Sequence, residues 1–185
     1  RQRQMCIRDR LMLVLVRLMR TEKLNYQRSW VNNITDTTKG EKMSDLKKYE
    51  GVIPAFYACY DDQGEISPER VRALVEYFIA KGVQGLYVNG SSGECIYQSV
   101  ADRKLILEEV MAVAKGKLTI IAHVACNNTK DSVELARHAE ELGVDAIAAI
   151  PPIYFRLPEY SVAHYWNEIS AAAPNTCLLY TSELP

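Results

Sequence analysis

One feature limits the folds open to this chain more than any other. Short apolar runs begin near residues 51, 85, 118 and 146, at spacings of 34, 33 and 28, and a segment with helical periodicity follows each. Gly51 to Tyr60 is rich in β-branched and aromatic residues and stops at the turn Asp61-Asp62-Gln63-Gly64. Ser67 before Pro68 is a helix start, because serine caps the first turn and proline needs no N–H there. Val71, Leu74, Val75, Phe78 and Ile79 then recur on one face until Lys81-Gly82. Leu86 to Val88 reads as a short buried strand, and Leu105 to Val113 as a second helix closed by Lys115-Gly116. Leu118 to Val124 is a third strand, Thr129 to Leu142 a third helix ended by Gly143, and Ala146 to Ile150 a fourth strand halted by Pro151-Pro152. Tyr160 to Ala172 is the fourth helix.

Near-continuous apolar strands at this period predict a parallel sheet of right-handed strand–helix units, with neighbouring strands in sequential order. An open doubly wound sheet and a closed eight-stranded barrel both begin in this way. A closed barrel takes about 250 residues. The four units here would then be half of one.

Composition excludes several classes. Of 185 residues, 48% are hydrophobic and 24% charged, an ordinary globular balance. The longest early apolar run, Leu11 to Val16, is cut by Arg17 and is far too short to span a bilayer. The formal net charge of −1 gives no general attraction to nucleic acid.

That near-zero charge hides a division. Residues 1–42 hold ten Lys/Arg against four Asp/Glu, a net +6, and the remainder carries −7. No small-residue cleavage site follows the leader's apolar stretch, so it does not read as a secretory signal. The genetic code offers another origin. Met5 to Arg10 and Cys177 to Ser182 can be encoded by the two strands of one transposon-end element used in DNA library preparation. Lys39-Gly40-Glu41-Lys42 can be encoded by a purine-rich ribosome-binding site ahead of Met43. The expectation is therefore that residues 1–42 are adapter and translated upstream DNA, 43–176 are native, and 177–185 are adapter read-through. Cys59, Cys95 and Cys126 would remain, an odd number without C-x-x-C, which fits a reducing, cytoplasmic setting and no structural zinc.

In either parallel fold, function gathers in loops after the carboxyl ends of strands. The most telling is Gly90-Ser91-Ser92-Gly93-Glu94. Its glycines let successive N–H groups converge on an anion, and two hydroxyls add donors, which suits a carboxylate or phosphate. An ordinary glycine turn has the same composition. Tyr154 follows the Pro-Pro break, where it could relay protons or simply pack. His123 sits in an apolar strand and reads as a core residue, whereas His138 and His164 read as surface. Lys81, Lys104, Lys115, Lys117 and Lys130 lie in helices or helix-ending turns, so no strand carries an amine that burial could keep deprotonated.

Several motifs together carry a resemblance: GVIPAFYACYDDQGEI (Gly51 to Ile66), GLYVNGSSGE (Gly85 to Glu94) with YQS behind it, IIAHVAC (Ile120 to Cys126) and PPIY (Pro151 to Tyr154). Residues 47–176 resemble the amino-terminal half of the N-acetylneuraminate lyases, within the dihydrodipicolinate synthase/N-acetylneuraminate lyase superfamily. Gly-Ser-Ser-Gly-Glu and Ala-His-Val-Ala-Cys favour the lyase branch, while Asn127-Asn128-Thr129 is shared with synthases. The resemblance implies a truncated (β/α)8 TIM barrel and class I aldolase chemistry, in which a lysine forms a Schiff base with a keto acid. It implies that Ser91 and Ser92, with Gly90 and Gly93, hold the carboxylate of pyruvate, and that Tyr154 completes the proton relay of a neighbouring subunit. It further implies a homotetrameric parent acting on a keto acid or sugar acid without metal or cofactor. The Schiff-base lysine and main acid/base tyrosine would fall beyond Thr176, which leaves this chain inactive. The alternatives are a dihydrodipicolinate synthase or other 2-keto acid aldolase and, in a different class, a non-catalytic anion-binding module.

Overall fold

The computed structural model describes residues 48–179, so the expectation for residues 1–42 lies outside the described residues. Contacts separate a unit of Tyr49–Thr181 from the rest of the chain, and the fold is that of this unit. Its elements alternate: α1 (Pro68–Ala80), β1 (Gly85–Val88), a 3-10 turn (Ser91–Gly93), α2 (Val100–Ala114), β2 (Thr119–His123), α3 (Thr129–Leu142), β3 (Ala146–Ala148), α4 (Glu159–Ala172) and β4 (Cys177–Leu179). The sheet order is β1-β2-β3-β4 and every pairing is parallel. Four parallel strands alternating with four helices are the architecture of part of a (β/α) barrel.

The helix boundaries follow local chemistry. The Ser67 hydroxyl accepts from the Arg70 N–H at 3.3 Å and opens α1. Ser99 and Asp102 form a reciprocal capping box at α2, with N–H to hydroxyl and N–H to carboxylate bonds of 3.1 and 3.0 Å. The Asn128 side chain accepts from the Asp131 N–H at 2.8 Å and opens α3. Gly143, with φ of 77°, ends it in the left-handed conformation that glycine adopts without a β-carbon clash.

Strand alternation divides the sheet into two faces. Leu86, Val88, Ile120, Ala122 and Ile147 are buried in the larger core with Val71, Val75, Ile106, Val110, Leu135 and Ile169 of the helices. Each buried Val, Leu or Ile among them contributes about 1.5–3 kcal/mol by leaving water. The opposite face carries Ile121, Ala146 and Ala148, with Ile53, Tyr87 and Leu179 packed on them.

Two strands differ from the sequence reading. Gly51 to Tyr60 forms no continuous strand; it meets β1 through a single parallel bridge, Ala55 to Tyr87. The Phe56 N–H donates to the Tyr87 carbonyl and the Tyr87 N–H to the Pro54 carbonyl, both at 2.9 Å. Pro54 has no N–H to donate, which limits the ladder. At the other end, Cys177–Leu179 is the fourth strand of the sheet, paired to β3 in register Ala146 to Cys177.

Candidate functional site

Because all four strands run in one direction, the loops after β1, β2 and β3 share one edge of the sheet. Gly90 to Glu94 and Tyr154 therefore lie at that edge. Beyond Val88, Asn89 takes a left-handed φ of 59°, and Glu94 does so again at 60°. Between them Ser91–Gly93 forms one tight turn, with the Gly93 N–H on the Gly90 carbonyl at 2.9 Å. Gly90 and Gly93 are buried while Ser91 and Ser92 are exposed. The glycines are sterically required. A β-carbon at Gly90 would stand 2.6 Å from the Tyr87 ring. The loop is braced further by Gln98, whose amide donates to the Gly93 carbonyl at 2.8 Å, and by Tyr60, whose hydroxyl donates to Glu94 at 2.9 Å. Among the described residues neither serine hydroxyl has a hydrogen-bond partner, so both remain available to a ligand.

Beneath this loop lies a buried polar ring. The Arg103 side chain is 2% exposed, and its guanidinium donates to the carbonyls of His123 at 2.6 Å and Ala125 at 2.9 Å. The Asn89 amide donates to the Arg103 carbonyl at 2.8 Å. His123 Nδ1 lies 3.0 Å from the Asn89 carbonyl. A carbonyl only accepts, so Nδ1 carries the proton. Burial, then the Arg103 charge, pushes the His123 pKa down to about 4 against the Asn89 bond, so the imidazole is neutral at pH 7. No carboxylate pairs with Arg103 among the described residues. Sequence reasoning missed this ring, although Arg103 lies on the same helical stripe as Ile106, Leu107 and Val110.

A cavity of about 270 Å³ opens beside the ring, lined among others by Arg103, His123, Cys126 and Asn128, and neither Ser91, Ser92 nor Tyr154 lines it. Burial raises the thiol pKa of Cys95 and of Cys126, which disfavours thiolate nucleophiles here. Tyr154 is 80% exposed, its ring edge-on to Phe155 at 4.7 Å, and its hydroxyl meets no polar partner among the described residues.

His123 is buried, as a core histidine should be. His138 is not the surface residue expected: its side chain is 14% exposed and pairs with Glu108 at 2.8 Å, because α2 packs on α3. No lysine lies on β1 to β4. Lys104 pairs with Glu134 at 2.6 Å, Lys115 donates to the Leu142 carbonyl at 2.7 Å, and Lys81 lies over the Tyr77 ring. Among the described residues no cluster of His, Cys, Asp or Glu could hold a metal, and no helix is long and apolar enough to cross a membrane.

Glycine-built loop and parallel strand–helix order agree with what comparison with known proteins finds. The profile of the Dihydrodipicolinate synthetase family matches residues 48–184. The chain belongs to this family. Within it, the N-acetylneuraminate lyase of Mediterraneibacter gnavus is 75% identical over 138 residues, which cover 75% of this chain and 44% of that protein. A catalytic-lysine mutant of the Ruminococcus gnavus sialic acid aldolase superposes with a TM-score of 0.73 at 76% identity, covering 74% of this chain and 45% of the other. The N-acetylneuraminate lyase of Mycoplasma synoviae superposes at 0.72 with 31% identity, over 76% of this chain and 50% of the other. This family member thus spans about half the length of the relatives it matches.

Proposed function

We propose that the chain is the amino-terminal part of a class I aldolase that cleaves N-acetylneuraminate to N-acetylmannosamine and pyruvate. The observation that carries the reading is the Gly90–Glu94 loop, where two hydroxyls without a partner among the described residues stand exposed at the carboxyl edge of a parallel sheet. The 75% identity to a lyase supports the choice of substrate.

In this reading Ser91 and Ser92 hold the carboxylate of the keto acid, and Gly90 and Gly93 let the backbone approach it. A lysine amine, supplied beyond Thr176, attacks the keto carbon and expels water. The resulting iminium accepts the electron pair of the carbon–carbon bond as that bond breaks and the sugar hydroxyl loses its proton. Reprotonation of the enamine and hydrolysis then release pyruvate. Tyr154, exposed on its loop, serves the proton relay of a neighbouring subunit in a cytoplasmic homotetramer. In this reading residues 1–42 and 177–185 are foreign to the enzyme, although Cys177–Leu179 pairs with β3 and the family match runs to residue 184, and the 185-residue chain is inactive by itself.

Pyruvate and borohydride test the reading. The product of the uninterrupted gene should gain one reduced pyruvyl adduct on a lysine beyond position 176 and should cleave N-acetylneuraminate. The 185-residue chain should gain none. An adduct without cleavage of that sugar acid selects another 2-keto acid aldolase, a branch with which Asn127-Asn128-Thr129 is shared. No adduct on either protein selects an anion-binding module.

A further inference from the structure

The loop that presents Ser91 and Ser92 begins at an unusual residue. Asn89 is 3% exposed and holds a φ of 59°. Left-handed backbone costs a non-glycine L-residue roughly 1 kcal/mol, with asparagine among the least penalised. The surrounding bonds over-determine this conformation. The Asn89 amide donates to the Arg103 carbonyl at 2.8 Å, the Asn89 carbonyl accepts from His123 Nδ1 at 3.0 Å, and the His123 carbonyl accepts from Arg103 at 2.6 Å. The three residues close a ring across the end of β1, the end of β2 and α2.

We propose that His123 and Asn89 are positioning residues of the carboxylate-binding loop, the imidazole Nδ1–H fixing the Asn89–Gly90 peptide and through it the direction in which Ser91 and Ser92 are presented. The inference rests on the reading of Gly90–Glu94 as the keto-acid cradle. The mechanical argument is short. The Asn89–Gly90 peptide is planar and trans. Its carbonyl and the Gly90 N–H therefore point in opposite directions, and anchoring one aims the other. Two residues on stands Ser91. An imidazole turned to carry its proton on Nε2 would set a bare nitrogen against the Asn89 carbonyl, and the two acceptors would repel. Arg103 Nη2, at 3.5 Å from Nδ1, donates to the His123 carbonyl at 2.6 Å, so the shorter 3.0 Å contact with the Asn89 carbonyl is the one that sets the tautomer.

The test uses the uninterrupted gene product, pyruvate with borohydride, and two substitutions that separate the ring nitrogens. In His123→Asn the amide nitrogen takes the place of Nδ1, whereas in His123→Gln the amide reaches towards the place of Nε2. Loss of one hydrogen bond to the loop predicts a rise of about tenfold in the half-saturating pyruvate concentration for His123→Gln. The trapping rate at saturation should stay within about twofold, and His123→Asn should return half-saturation to near the wild-type value. Equal behaviour of the two variants overturns the inference. Should His123→Gln not fold, Asn89→Gly keeps the left-handed backbone while dropping the amide, and unchanged half-saturation there overturns it as well. Nitrogen NMR of the labelled histidines adds an independent arm. His123 should be protonated on Nδ1 at neutral pH, and an Nε2–H tautomer sinks the proposal. A wild-type protein that traps no pyruvate overturns the underlying reading. A wild type that traps while His123→Gln leaves half-saturation unmoved overturns this inference alone.

Discussion

Gly93 lies so close to Phe56 that a β-carbon on it would stand 2.7 Å from the Phe56 carbonyl oxygen. Neither partner can yield easily. Phe56 is 1% exposed and its N–H is bonded to the Tyr87 carbonyl at 2.9 Å. Gly93→Ala should therefore push the Ser91–Ser92 turn away from the sheet. The expected cost is about 1–3 kcal/mol of stability, the usual scale of overpacking. Under the proposed function, pyruvate binding by the uninterrupted protein should weaken at the same time. Urea unfolding and the trapping titration check both, and an alanine variant with wild-type stability and affinity would show that the contact imposes nothing.

Among the described residues Arg103 is a buried cation with carbonyl partners and no carboxylate. Two effects oppose each other on its removal. Desolvation of the guanidinium is relieved, but the carbonyls of His123 and Ala125 lose charged donors, and a buried volume is vacated. Hydrogen bonds to charged groups contribute about 1.5–3 kcal/mol each, so the second effect should win. Arg103→Met should lower unfolding stability by on the order of 3 kcal/mol. Urea denaturation at neutral pH measures it, and a variant more stable than wild type would mean that desolvation dominates.

The repeat of strand and helix was legible because its signals are local. Ser67-Pro68 and Gly143 act within four residues of the boundaries they set, and α1 spans Pro68–Ala80 as the capping chemistry requires, whereas the second helix, read from Leu105, starts at Val100 behind the unread Ser99–Asp102 box. The Gly90–Glu94 loop was legible for the same reason, since two glycines and two serines after a strand restrict what the backbone can do. What escaped was long-range. The ring of Asn89, Arg103 and His123 joins residues up to 34 positions apart, and an arginine in a helix reads as solvated until the packing of that helix is known. Ala55 to Tyr87 remained a lone bridge because strand length depends on the partner's donors as well as on apolar content. The pairing of Cys177–Leu179 with β3 depends on a sheet that only the fold assembles.

Tyr165 and Ser132 fasten the loop after β2. Their hydroxyls are 2.9 Å apart; the Tyr165 hydroxyl also donates to the Cys126 carbonyl at 3.1 Å, and Ser132 accepts from the Cys126 N–H at 2.8 Å. Tyr165→Phe removes the bonds to the Cys126 carbonyl and to Ser132 while Ser132 keeps the N–H satisfied, so the cost should be about 1–2 kcal/mol. Ser132→Ala should cost more, because it strips the shorter of the two bonds to the Cys126 N–H, 2.8 Å against 3.2 Å to Tyr165, and the bond to the Asn128 carbonyl at 3.0 Å. The double variant should fall short of the sum, since the two hydroxyls share one bond. A double-mutant cycle in urea gives the coupling, and strict additivity would mean that the hydroxyls act independently.

The last prediction concerns acid. The His123 pKa is held at about 4 against an ordinary 6.5, chiefly by burial and next by the Arg103 charge. Asn89 accepts its Nδ1–H and the Tyr87 ring lies 6.1 Å away. Tyr87 is itself pushed up to about 12, mainly by burial, and is uncharged throughout the acid range. As pH falls below 6.5 the unfolded chain takes up a proton at His123 while the folded chain does not. The unfolded state then binds more protons, so stability drops as the solution is acidified. The contribution is intact above pH 6.5, declines between 6.5 and about 4, and levels off below, with a total of about 3 kcal/mol. His123→Asn cannot titrate, so subtracting its unfolding free energy from that of the wild type removes the carboxylates common to both. That difference, measured by urea unfolding of the uninterrupted protein at pH 7.5, 5.5 and 4.5, should move steadily against the wild type towards low pH. A difference independent of pH would mean that His123 titrates near its ordinary value and is not buried neutral beneath the loop.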